Sequence, residues 1–104
     1  GRFLYLNNYH DDPIDTTITT QNEPLFDGRS IHLPARQGLI LPLEWRLNDN
    51  VTIHYATAEI TGISEDNNTI VLSTRPSTCT AAVTIGTTRQ TLNTSDGQIE
   101  FVIR

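Results

Sequence analysis

The sequence predicts an all-β fold, an antiparallel β-sandwich of about eight to ten short strands. Three observations carry this expectation. Threonine occurs sixteen times and, with isoleucine, valine and leucine, fills the periodic segments, and branched side chains suit an extended, half-buried backbone. Apolar and polar residues alternate in short runs, which puts side chains two apart on one face. Clusters of Asp, Asn and Gly separate the runs at short spacing, and no window of a dozen residues keeps a helical period free of breakers.

In chain order, Asp11-Asp12-Pro13 marks a turn before the alternating run Ile14–Thr19, and Phe26-Asp27-Gly28 marks the next. Pro34 and Pro42 bracket Ala35–Leu41. Proline cannot donate to a central ladder, so an edge strand or a corner between sheets is expected there. In Leu43-Glu44-Trp45-Arg46-Leu47 alternation places Leu43, Trp45 and Leu47 on one face. Asn48-Asp49-Asn50 then turns the chain into Val51–Tyr55. Further alternating strands are expected at Thr69–Ser73, Ala82–Ile85 and Ile99–Ile103, with tight hairpins at Asp66-Asn67-Asn68 and Ser95-Asp96-Gly97.

At 104 residues the chain has the size of one domain, with no internal repeat or linker, so 1–104 is read as a single β-sandwich unit. A chain this long buries roughly two thirds of its unfolded surface and needs no disulfide staple. Cys79 has no partner within the chain, which favours a reducing, cytoplasmic setting over a secreted one. Seven basic against twelve acidic side chains give a net charge of −5. That is the wrong sign for tracking phosphates or for adhering to an anionic leaflet, so nucleic acid and membrane are not expected partners. No apolar run approaches the roughly 20 residues of a spanning helix. The start at Gly1-Arg2-Phe3 suggests a unit excised from a longer chain.

No cofactor is expected, because glycine-rich phosphate loops are missing. One cysteine and the scattered His10, His32 and His54 make a poor ligand set for a metal. Tyr9-His10-Asp11-Asp12 is the most polar cluster, yet turn formation alone accounts for those residue types. Glu65-Asp66-Asn67-Asn68 lacks the alternating ligand spacing of a calcium loop. No pair of carboxylates is placed by sequence for glycoside hydrolysis, and no nucleophile is paired with a base, so no catalytic residue is assigned.

Two stretches resemble a known family. Arg2-Phe3-Leu4-Tyr5-Leu6-Asn7-Asn8-Tyr9 is similar to the strand that opens the all-β domain following the barrel in the β-galactosidases of glycoside hydrolase family 35. Leu33-Pro34-Ala35-Arg36-Gln37-Gly38-Leu39-Ile40-Leu41-Pro42, with Val51–Ile60 and its Thr57-Ala58-Glu59, is similar to two further motifs of that domain. The resemblance implies a non-catalytic domain of a retaining enzyme that removes terminal β-galactose. That family's catalytic glutamates lie on a (β/α)₈ barrel, so none of them transfers to a position here.

The expected function is therefore that of an accessory domain packing against the catalytic barrel or another β-domain of its own parent chain. The alternative is a carbohydrate-binding module that stacks sugar on an exposed aromatic ring; a surface adhesin module is a third reading. Aromatic and arginine side chains are enriched at interface cores, which nominates Trp45, Tyr9, Arg36 and Arg46 as the carbohydrate or interdomain contacts.

Overall fold

Strand pairing follows the alternation through most of the chain, with register shifts beside Ala82, Arg46 and Ile60. The computed structural model describes residues 2–21, 23–66 and 68–102. The elements are β1 (Arg2–Asn7), β2 (Ile14–Thr16), β3 (Thr19–Thr20), β4 (Glu23–Pro24), β5 (Ile31–Leu33), β6 (Gly38–Asn48), β7 (Val51–Ala56), β8 (Glu59–Asp66), β9 (Thr69–Arg75), β10 (Cys79–Ile85), β11 (Thr88–Thr94) and β12 (Gln98–Val102). A single 3₁₀ turn spans Phe26–Gly28. The strands form a five-stranded sheet, β1-β6-β7-β10-β11, and a three-stranded sheet, β12-β9-β8. Two small ribbons, β2-β5 and β3-β4, complete them. Every pairing is antiparallel.

The twelve described strands exceed the expected number because the segment between β1 and Gly38 breaks into pieces of two and three residues. Ile14–Thr19 is one such case, with its pairing interrupted at Thr17-Ile18. Pieces this short are below the length at which a period of two can be read.

The five-stranded sheet is the middle layer. Along β10, which pairs with β11 without a register shift, Ala81 and Val83 enter one core and Ala82 the other. The first core joins these residues and Val51 and Ile53 to Ile70, Leu72, Ile99 and Phe101 of the three-stranded sheet. The second joins Leu39, Leu41, Leu43, Tyr55 and Ala82 to Phe26, Ile31 and Leu33 of the N-terminal segment. At about 25 cal/mol per Å² of apolar surface removed from water, these two interfaces supply the main driving force.

Leu43, Trp45 and Leu47 do not share a face. Leu43 belongs to the N-terminal core, whereas Trp45 and Leu47 pack against the core beneath the three-stranded sheet. The cause is Glu44, which has φ +49° in the middle of β6. Opposite it, β7 carries one extra residue, because Ala82 pairs with Tyr55 and Val83 with Ile53, leaving His54 unmatched. A left-handed residue and a bulge rotate the strands locally, and the period of two restarts with its faces exchanged.

Pro42 lies one residue before the β6–β7 register begins at Leu43, so its missing N–H costs that ladder nothing. In this first half, β6 is laddered to β1, and the Ile40 N–H on that segment donates instead to Glu59 Oε1 at 3.0 Å. This fits the expected edge-or-corner role.

The hairpin at Asp66-Asn67-Asn68 is present as the β8–β9 connection, with Asp66 paired to Thr69; Asn67 itself lies outside the described residues, as do Gly1 and Ile103. Ser95-Asp96-Gly97 is not a hairpin. It carries the chain from β11 in the middle sheet to β12, which pairs with β9 in the outer one. Asp-Gly chemistry specifies a chain reversal but not the partner of the strand that follows. Gly97, at φ +78°, donates to Ser77 O and accepts from Thr74 N–H, lacing the crossover to the β9–β10 connection.

Asp96 anchors this crossover. Its Oδ1 accepts from the Thr94 hydroxyl at 2.6 Å and from Gln98 N–H at 3.1 Å, and these bonds hold its carboxyl below the usual range. A carboxylate depressed in the folded state contributes stability above its unfolded pKa, and loses it as pH falls through the folded value. Urea midpoints of Asp96→Asn should therefore lie below those of the native chain at neutral pH. The gap should close in strongly acidic buffer; a gap that stays constant with pH would refute the assignment.

Candidate functional site

Asn8 is the best-buried polar side chain, 2 % exposed. Its amide nitrogen lies 2.9 Å from Asp12 O and 3.3 Å from both Leu33 O and Pro34 O, and its Oδ1 accepts from His10 N–H at 2.9 Å. This ties the end of β1 to the end of β5 and holds the His10–Asp12 turn between them. Nothing in the sequence distinguished Asn8 from the neighbouring Asn7, because burial here comes from a partner 25 residues away. Asp11 is taken up by Arg36, whose Nε donates to it at 2.7 Å, and the Asp12 carbonyl by Asn8. The Tyr9–Asp12 cluster is thus built as a turn.

Of the four nominated contact residues, Tyr9 and Arg36 sit together at this end, Arg36 through its N–H donated to His10 O. Tyr9 is strongly exposed. Trp45 and Arg46 are elsewhere, eight residues or so along β6 from Gly38, roughly 25 Å at strand spacing. Arg46 meets Asp49 at 3.1 Å in an exposed pair at the β6–β7 turn, worth little to stability. Trp45 is half-buried, with the Phe3 ring 5.5 Å away and tilted by 58°. The four residues therefore lie in two separate places, Tyr9 with Arg36 and Trp45 with Arg46.

Beside Trp45 the same face of the sheet continues along β1 and the first half of β6. There Phe3, Tyr5 and Ile40 are each at least half exposed, and Tyr5 pairs with Ile40. The three-stranded sheet stops short of this area, and its nearest edge contributes Glu59, which holds the Ile40 N–H and an ion pair with Arg75 at 2.8 Å.

On the opposite face, Glu44 Oε2 accepts from His54 Nδ1 at 2.8 Å, and His54 Nε2 lies 2.6 Å from the Thr84 hydroxyl. A carboxylate can only accept, so Nδ1 carries a proton, and in the neutral ring Nε2 accepts from the Thr84 hydroxyl. The order hydroxyl, imidazole, carboxylate is that of an activated nucleophile. Here it runs from β10 to β7 to β6 and ties together the three strands at the bulge. A cleft of about 230 Å³ opens beside Glu44 and His54, with Arg89 and Asp27 paired across it at 3.4 Å.

A larger cleft, about 560 Å³, lies between Arg29–His32 and the β9–β10 connection. Tyr55, which accepts from Arg29 Nε at 3.0 Å, has its phenol pushed up chiefly by burial; Arg29 lowers it and Asp27 raises it. No cluster of three metal-ligating side chains occurs among the described residues.

Together these features define a layered β-sandwich domain whose polar side chains are mostly engaged with one another. Comparison of the chain with protein-family models, curated proteins and solved structures finds no match.

Cys79 is buried, and burial pushes its thiol up from the ordinary value, opposed by a bond from the Thr57 hydroxyl and by the Thr57 and Ala58 backbone. The thiolate is the reactive form. A disulfide reagent should leave the native chain unlabelled over the time in which urea-unfolded chain reacts completely; rapid labelling in native buffer would show the thiol to be exposed.

Proposed function

We propose that this chain is a non-catalytic β-domain of a β-galactosidase, packing against the catalytic barrel or a neighbouring β-domain of its parent. The observation that supports the reading is how the stretches similar to glycoside hydrolase family 35 sit together. The Leu4–Asn7 stretch pairs residue for residue with Gly38–Leu41. Asn8 of the first stretch bonds the carbonyls of Leu33 and Pro34 in the second. Glu59 of Thr57-Ala58-Glu59 caps Ile40 of the second. Motif residues here serve one another as scaffold, which is the role expected of a domain whose chemistry lies elsewhere.

The uncovered Phe3, Tyr5 and Ile40 face supplies the docking surface in this reading. Three large apolar side chains grouped on one sheet face favour contact with another protein surface over water. Trp45, covered in part by Phe3, is a margin of that surface rather than a free sugar platform.

The test joins two measurements. The coding sequence on either side of these 104 codons should encode a (β/α)₈ barrel with two catalytic glutamates, and the isolated chain should leave a nitrophenyl β-galactoside hydrolysing at the buffer rate. A reading frame without a barrel, or turnover by the purified chain with contaminating enzyme excluded, overturns the proposal. Galactose titration should leave Trp45 fluorescence unchanged; a saturable change would support the sugar-binding module instead.

A further inference from the structure

The larger cleft has a chemistry that the docking role does not use, and the inference drawn from it stands whether or not that role holds. We propose that it binds a sugar acid, a uronate unit presenting one carboxylate and several hydroxyls. The cleft lies between Arg29, Ser30 and His32 on one side and Thr57, Thr78 and Thr80 on the other, with a volume of about 560 Å³. That is within the range of small-molecule sites, roughly 300 to 1,000 Å³.

Arg29 supplies the cation. Its Nε is committed to the buried Tyr55 hydroxyl at 3.0 Å, which fixes the plane of the guanidinium. The terminal NH₂ groups, which bond none of the described residues, are left as donors of the kind that grips a carboxylate. His32 supplies an acceptor. Its Nδ1 lies 2.8 Å from Asp15 Oδ1, a bond that in the neutral ring places the proton on Nδ1 and leaves the Nε2 lone pair for a ligand hydroxyl. Ser30 and Thr78 add two hydroxyls that bond in either sense. Thr57 and Thr80 are already committed, Thr57 Oγ1 accepting from Thr80 N–H at 2.9 Å and the Thr80 hydroxyl donating to Asn93 at 2.8 Å.

This set discriminates. A neutral hexose has no anion for Arg29 and meets no Phe, Tyr or Trp ring among the lining residues on which to stack. Sulfate satisfies Arg29 but has no proton to give His32. A hydroxylated carboxylate satisfies both.

Amide-resolved NMR titration of the whole chain with galacturonate and glucuronate tests the proposal, with galactose and sulfate as controls. Saturable shifts centred on Arg29–His32 and Thr78–Thr80 are expected at millimolar uronate, with smaller or no shifts from either control. Arg29→Gln should weaken uronate binding about tenfold or more, the effect of one charge-assisted hydrogen bond. Thr78→Val, which leaves the Tyr55 contact intact, should also weaken it measurably, and keeps the test decisive where Arg29→Gln perturbs the fold. Absence of shifts with uronate, equal binding of galactose, equal binding of sulfate, or uronate binding unchanged in Thr78→Val overturns the proposal.

Discussion

One local constraint governs this structure: the paired irregularity at Glu44 and His54, held closed by hydrogen bonds across β6, β7 and β10. A non-glycine residue in the left-handed region costs about 1–3 kcal/mol and persists only where its surroundings over-determine it. Here Glu44, at φ +49°, directs its carboxylate to His54, and His54 reaches Thr84. Two such bonds contribute about 0.5–1.5 kcal/mol each, comparable to the strain. The remaining support comes from what the bulge permits, namely that Leu39, Leu41 and Leu43 fill one core while Trp45 and Leu47 on the same strand close over another.

That exchange of faces decides which core each half of β6 fills. A middle-sheet strand that alternates sends successive residues to the two cores, as β10 does with Ala81, Ala82 and Val83. β6 instead serves them in succession, and the middle sheet is shared between the N-terminal ribbons and the C-terminal three-stranded sheet. The arrangement leaves a remainder, because the outer sheet covers β7 and β10 but not β1 and the first half of β6. Phe3, Tyr5 and Ile40 stay exposed for that geometric reason, and in the proposed accessory-domain role this is where a neighbouring domain seats. Polar side chains elsewhere mostly answer to each other, Asn8 to three carbonyls and Glu59 to Ile40 and Arg75.

Much of the fold was legible in the sequence. Alternation and turn residues identified Val51–Tyr55, Thr69–Ser73 and the β8–β9 hairpin, because those segments keep extended backbone and pair with near neighbours. What was not legible has a common physical root. Leu43 and Trp45 fall on different faces because of a backbone rotation at Glu44, and glutamate is not a residue that advertises positive φ. Ser95-Asp96-Gly97 turns the chain without declaring which sheet comes next. The nominated Tyr9, Arg36, Trp45 and Arg46 were chosen by residue type, which carries no information on distance, and they divide between the two ends of β6. The cleft around Arg29 and His32 joins segments more than 40 residues apart, from β5 to the β9–β10 connection, a separation no local pattern encodes.

The facing of β6 decides whether the two cores are divided at Glu44. Nuclear Overhauser spectra of the chain in solution measure it directly, through cross-peaks from the Leu43 methyls and the Trp45 indole. The structure predicts contacts from Leu43 to the Phe26 and Tyr55 rings and from Trp45 to Phe3, with none between Trp45 and Phe26. Cross-peaks from both Leu43 and Trp45 to Phe26 would mean that alternation runs unbroken through Glu44, and the two-core arrangement would be contradicted.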